Sequence, residues 1–223
     1  ITINTYVGSK GIINIEREAH LSGKIHDKGL MVLSGFFNQK FGSNMPLTFS
    51  ASITFEQSYG MIDGDSASST ELYGLLSSLS GIPINQSIAV TGSVNQKGEV
   101  QAIGGVNEKI EGFFKVCAAR GFNGEQGVII PEANVKNLLL NEAVVTAANE
   151  GKFKIWAVST IEDGMRILTG LPCGQEHKDG SFTKNAIYDK VRERLVEFAR
   201  IAHQFRKQLD GENSKKDETE EEK

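Results

Sequence analysis

The stretch DGDSAS, residues 63–68, places Ser66 just ahead of a helix-like run, and Lys109 follows 43 positions later within AIGGVNEKIEG. A serine hydroxyl becomes a nucleophile only when a base takes its proton. Histidine is the usual base, yet none of the four, His20, His26, His177 and His203, lies in a loop that would orient one. The run GDSAS also breaks the G-x-S-x-G elbow of α/β-hydrolases, because Ser68 stands where the last glycine belongs. A lysine serves instead if its amine is neutral, which requires a pKa lowered by roughly three units, a differential of about 4 kcal/mol. Lys109 suits that role by position: it lies near a helix start, where the macrodipole disfavours an ammonium ion, and follows the small, apolar AIGG.

Each residue also has an ordinary reading. A serine before a helix commonly caps it by accepting an orphan N–H, and the local pattern alone fits a cap better than a nucleophile. A lysine in the first turns of a helix is commonly a solvated side chain. The glycine-containing turn at Gly64 and Asp65 would expose N–H groups to a developing oxyanion, so cap and nucleophile demand the same geometry.

Other chemistries find no support. GSVNQKG carries Lys97 and Gly98 in the wrong order for a phosphate loop, and no GxGxxG occurs. His20 and His26 are six positions apart with no third ligand nearby, so no metal site is expected.

The elements that must position Ser66 and Lys109 follow from periodicity. LTFSASITF, residues 47–55, alternates strictly and predicts a half-buried strand. After the loop EQSYGMIDGDS, Leu72, Leu75, Leu76 and Leu79 recur at helical spacing. QSIAVTGSV and GEVQAIG flank NQKG, which predicts a hairpin turning at Gly98. The next helix carries Lys109, with Val106, Ile110, Phe113 and Cys117 as its apolar stripe and Gly121 as its stop. Then come strand GVIIP, a helix from about Glu132 to Ala148, strand KFKIWAV, and a helix opened by a capping box from Ser159 to Glu162. Irregular alternation with at least two hairpins argues for a mixed α+β domain. From Asn185 to Leu209, Ile187, Val191, Leu195, Phe198, Ala202, Phe205 and Leu209 predict one long amphipathic helix, packed on its own domain or on a neighbouring subunit. The remaining DGENSKKDETEEEK is charged and expected to be disordered.

The 223 residues support one substantial core. A net charge of -4 offers no attraction to nucleic acid or to an anionic membrane. No apolar run reaches membrane-spanning length, and Cys117 and Cys173 form no CxxC, so a reducing compartment, the cytoplasm, is expected. A start at Ile1 rather than Met is expected of a piece of a longer chain.

DGDSAS together with VTGSVNQKGEVQAIGGVNEKIEG, residues 90–112, closely resembles the proteolytic domain of Lon proteases, especially their Lon-related and archaeal-type branch. The resemblance runs from about Ser50 to Gly170 and more weakly through the first forty residues. It implies a compact α+β protease fold over residues 1–172, beyond which periodicity and charge mark a helical extension over 173–209 and a charged tail over 210–223. The resemblance makes Ser66 the nucleophile and Lys109 its base. It gives Thr91 a hydrogen bond to that lysine and places Asp63 at the site entrance; in the mechanism this implies, the backbone amides around Asp65 and Ser66, in the turn that Gly64 opens, stabilise the oxyanion. Asp65 and Ser68 depart from the better-known Lon sequences, which carry proline and glycine there. The resemblance further implies a homo-hexameric ring, unfolded polypeptides as substrates, and ATP with Mg only through an upstream ATPase module; the chain itself needs no cofactor. The competing reading is a catalytically silent Lon-like scaffold.

Overall fold

The computed structural model describes the backbone of residues 1–221 and the side chains of residues 1–210. The disordered tail expected over 210–223 falls, from residue 211 on, outside the fully described residues.

One sheet is assembled around the alternating run. Strand β1 (Thr2–Val7) lies antiparallel and β2 (Gly11–Asn14) parallel to β3 (Phe49–Thr54), in the order β1-β3-β2. Phe49, Ala51 and Ile53 are buried as the alternation predicts. The other face is drier than a half-buried strand should be, because β3 is the central strand and buried Ser50 accepts the N–H of Lys10 at 3.1 Å. Helices α1 (Ile15–Glu18) and α2 (Lys24–Gly42) link β2 to β3. After β3 comes α3 (Ser68–Ser80), which buries Leu72, Leu75, Leu76 and Leu79 at the predicted spacing.

The segment predicted as a single hairpin divides between two sheets. Strand β4 (Ile88–Val90) pairs in parallel with β7 (Gly127–Pro131), which pairs in parallel with β8 (Lys154–Val158). Only the next residues, β5 (Ser93–Val94) and β6 (Val100–Gln101), form the hairpin, with Gly98 at φ +82°. Among the described residues this is the one pair of consecutive strands that lie antiparallel, because β1 passes over β2 to pair with β3, while β2 with β3 and β7 with β8 are parallel. Strand β7 is buried along its whole length, as the centre of a covered parallel sheet should be.

Helix α4 (Val106–Arg120) buries Val106, Ile110 and Cys117, with Phe114 rather than Phe113 completing the stripe. The helix expected from Glu132 to Ala148 breaks into a 3-10 turn (Glu132–Asn137) and α5 (Glu142–Asn149). Competing hydrogen bonds cause the break. Asn137 O accepts from Asn107 Nδ2 at 3.2 Å, Leu139 N donates to Asn107 Oδ1 at 2.9 Å, and Asn141 N donates to Glu111 Oε1 at 2.9 Å. Asn141 then caps α5 through the N–H of Val144. Helix α6 (Ile161–Thr169) opens one residue later than predicted, on a capping box of Thr160 and Asp163. Ser159 is diverted: its hydroxyl donates to Glu132 and its carbonyl accepts from Val100 N.

Helix α7 (Ile187–Glu221) packs its first turns into the main core, burying Ile187, Tyr188, Val191, Leu195 and Phe198 among side chains from α2, α3 and α6. Farther on, Ile201, Phe205 and Leu209 are exposed. A smaller core joins α4, β7 and α5.

Candidate active site

The turn between β3 and α3 carries Ser66. Gly64 adopts φ +92°, a conformation that side chains rarely take, and this lets the chain reverse ahead of Ser66. The N-cap of α3 is Ala67, with no side-chain cap, so Ser66 does not serve as a helix cap. Its carbonyl instead accepts from Gly92 N at 2.9 Å and Thr91 Oγ1 at 3.4 Å, while Ser69 N donates to Gly92 O at 3.2 Å. Ser68 Oγ accepts from Val94 N at 3.1 Å in a buried setting. These bonds stitch the serine turn to the corner between β4 and β5.

Lys109 comes from the other side, one turn into α4. That helix starts at left-handed Gly105 (φ 68°), whose carbonyl accepts the Lys109 N–H at 3.1 Å. The start of α4 is braced by buried Asn134, which accepts from Ile103 N at 2.9 Å and donates to Ile103 O at 3.0 Å. So placed, Lys109 Nζ lies 2.7 Å from Ser66 Oγ and 3.3 Å from Thr91 Oγ1. At such distances an ammonium donates to both hydroxyls, whereas a neutral amine accepts the Ser66 O–H on its lone pair. Although Lys109 is solvent-exposed as a residue, partial burial holds its pKa below the ordinary lysine value, and the charge of Asp65 opposes that shift. A cavity of about 260 Å³ adjoins the pair, lined by Ser66, Lys109, Thr91 and Thr70 with Phe55, Val90 and other apolar groups.

The two acids face away from this contact. Asp65 Oδ2 accepts from Ser93 Oγ at 2.8 Å and borders a separate cavity of about 390 Å³ against α2. Asp63 Oδ1 accepts the N–H groups of Gly64 (2.8 Å), Ile25 (3.1 Å) and His26 (3.2 Å). Those bonds, from Gly64 first and then His26, hold its carboxyl below the usual range. Asp63 thereby caps α2, whose own N-cap, Gly23, has no side chain; a Cβ there would overlap the Asp63 carboxyl. Sequence reasoning brought Ser66, Lys109 and Thr91 forward, and the fold brings them together. It did not single out Ser93, Asn134 or Gly92 as supports, because a short polar residue in a loop carries no periodic signal.

Residues 56–169, half of the chain, match the family described as Lon protease (S16) C-terminal proteolytic domain, and this span contains Ser66, Thr91 and Lys109. The chain belongs to that family. Relatives of this Lon-type proteolytic domain include a Lon protease homolog of Escherichia coli (strain K12), 50% identical over 171 residues, which cover 77% of this chain and 29% of that protein. A Lon protease homolog of Haemophilus influenzae is 41% identical over 188 residues, 84% of this chain and 31% of that protein. The archaeal Lon protease of Methanocaldococcus jannaschii is 47% identical over 92 residues, 41% of this chain and 13% of that protein. The chain thus spans under a third of the length of these relatives.

Proposed function

We propose that this Lon-type domain is a serine endopeptidase in which Ser66 attacks the peptide carbonyl and Lys109 acts as general base. The observation that carries the reading is the 2.7 Å contact between Lys109 Nζ and Ser66 Oγ, made by residues 43 positions apart on separate helical junctions. Neutral Lys109 takes the Ser66 proton as Oγ bonds to the carbonyl carbon, and the carbonyl electron pair moves to oxygen. Among the described residues, the N–H groups of Asp65, Ser66 and Ala67 donate to no protein acceptor, which leaves them for the oxyanion. Lys109 then gives its proton to the leaving amine as the C–N bond breaks. Water attacks the acyl-serine next, losing a proton to Lys109, and releases the acid. Thr91, bonded to both the lysine amine and the serine carbonyl, keeps the two partners in register.

Unfolded polypeptides are the proposed substrates, because the site is an open cleft and no unfolding module lies within these residues. A homo-hexamer, coupling to an ATPase that would bring ATP and Mg, and a cytoplasmic setting complete the proposal. A silent scaffold would have no use for a partly desolvated lysine against a serine hydroxyl. The test is cleavage of an unfolded protein without ATP: the wild-type chain cleaves and Ser66→Ala does not, whereas equal cleavage by both would reject the nucleophile.

A further inference from the structure

Behind the serine turn lies a buried ionisable group that peptide cleavage leaves unused. His26 on α2, Glu71 on α3 and Glu16 on α1 are 2%, 1% and 3% exposed. His26 Nε2 stands 3.7 Å from Glu71 Oε1, about 0.5 Å beyond the hydrogen-bond range. Glu16 Oε1 accepts from Phe55 N at 2.7 Å and Thr54 Oγ1 at 2.8 Å. Glu16 Oε2, Glu71 Oε1 and His26 Nε2 have no hydrogen-bond partner, although all three are fully enclosed. Orphaned polar atoms in a core are costly, and three of them from three helices at one place call for a role.

The placement supplies one, because this group spans the serine turn. The backbone N–H of His26 binds Asp63, three residues before Ser66, while its ring faces Glu71 in the first turn of α3, five residues after Ser66. One end of the turn is therefore bonded to this histidine through Asp63, and the other packs against its ring through Glu71. Two carboxyls confined together in a dry space do not both ionise. Glu16 has two donors and Glu71 Oε1 has none, so the charge belongs on Glu16 and the proton on Glu71.

We propose that proton-bearing Glu71 and His26 are positioning residues for Ser66, a buried clamp that holds the turn between Asp63 and Ala67 and loosens it when Glu71 loses its proton. The proposal rests on Ser66 being the nucleophile. Among the described residues, Glu16 from α1 and His26 from α2 are the ionisable groups facing Glu71. β3 contributes only the uncharged Thr54 hydroxyl and its following amide, and Asp63 lies beyond His26 at the surface. Burial first, and the Glu16 charge second, push the Glu71 carboxyl up to about 8. In the unfolded chain it would ionise near the ordinary 4.5. Between those values only the folded chain keeps the proton, so stability falls as pH rises through the window from 4.5 to about 8. Above it, a second carboxylate is forced beside Glu16, and opening the space between α1, α2 and the start of α3 to water relieves the repulsion. That opening moves Ser66.

The experiment is the pH profile of kcat/KM for the full chain cleaving labelled, unfolded casein, comparing wild type, Glu71→Gln and Ser66→Ala. A group titrating at about 8 keeps roughly one tenth of its protons at about pH 9, so wild type should fall about tenfold there relative to Glu71→Gln, in which the Lys109 titration acts alone. Glu71→Gln, which cannot ionise, should lack that alkaline fall. The loss should appear in kcat, with KM within about twofold, because the nucleophile moves and the substrate cleft does not. A carbon-13 titration of the Glu71 carboxyl in wild type checks the proton without any variant and should show a midpoint near 8. An identical alkaline fall in Glu71→Gln, or a Glu71 midpoint below about pH 6, overturns the clamp alone, provided Ser66→Ala is inactive. Turnover surviving in Ser66→Ala overturns the nucleophile and the clamp together.

Discussion

Replacing Thr91 with valine keeps the shape of the side chain and exchanges its hydroxyl for a methyl group. Two bonds go with it: acceptance from Lys109 Nζ at 3.3 Å and donation to Ser66 O at 3.4 Å. A net hydrogen bond contributes roughly 0.5–1.5 kcal/mol, and both of these are long, which places each in the lower part of that range. The pair together contributes about 1–2 kcal/mol, equivalent to a loss of roughly 5- to 30-fold in kcat/KM. Thr91 is only 6% exposed, so bulk water has little access to replace the hydroxyl. Thr91→Ser should recover most of the rate, because it restores the oxygen and omits only the methyl. The assay is initial-rate hydrolysis of an unfolded protein at fixed pH, with thermal melting run beside it to verify folding. Wild-type activity in a folded Thr91→Val chain would refute the idea that this hydroxyl keeps Lys109 and Ser66 in register.

Three further outcomes follow from the same geometry. On the acid side, activity should rise with pH as the Lys109 ammonium loses its proton, at a pH below that of ordinary lysine, and Lys109→Arg should be inactive at every pH because guanidinium stays charged. Asp65→Asn removes the charge that favours the ammonium while keeping an acceptor for Ser93, so the acid limb of the profile should move to lower pH; an unmoved limb would show that Asp65 does not act on Lys109. Leu195→Ala, at a side chain with no exposure, should destabilise the chain by about 2–5 kcal/mol in denaturant titration, because α7 contributes to the main core.

Much of the fold was legible where one period dominated. The leucines of α3, the glycine stop of α4 and the strand β7 appeared as predicted because burial on one face, or on both, dictates residue type directly. The prediction failed where side chains competed for backbone groups. Asn107 and Glu111 bond to the main chain at 137–141 and break what propensity reads as one helix, and nothing local to that stretch announces them. The segment around Thr91 was legible as extended but not as a strand that changes sheets, since pairing partners lie outside any sequence window. At the site, the 43-residue spacing of Ser66 and Lys109 pointed to their contact, while local pattern favoured a cap that the structure assigns to no side chain. Asp63, placed by resemblance at the site entrance, is engaged in capping α2 from a loop 37 positions away from His26 in sequence. The His26, Glu71 and Glu16 group was invisible because each residue alone looks like an ordinary polar position in a helix.

The setting of Lys109 bears on the proposed role as base. Its amine is only partly removed from water here, and a polypeptide laid across the neighbouring cavity would exclude more water and favour the neutral amine further.

The central claim is that Ser66 owes its nucleophilicity to Lys109, and labelling with a fluorophosphonate probe followed by peptide mass mapping tests it most directly. Wild-type chain should acquire the label on the peptide containing Ser66, at a rate that climbs with pH through the Lys109 titration, and Lys109→Met should label at least about 100-fold more slowly, the scale of a lost general base. Equal labelling of Ser66 with and without the lysine amine would contradict the claim.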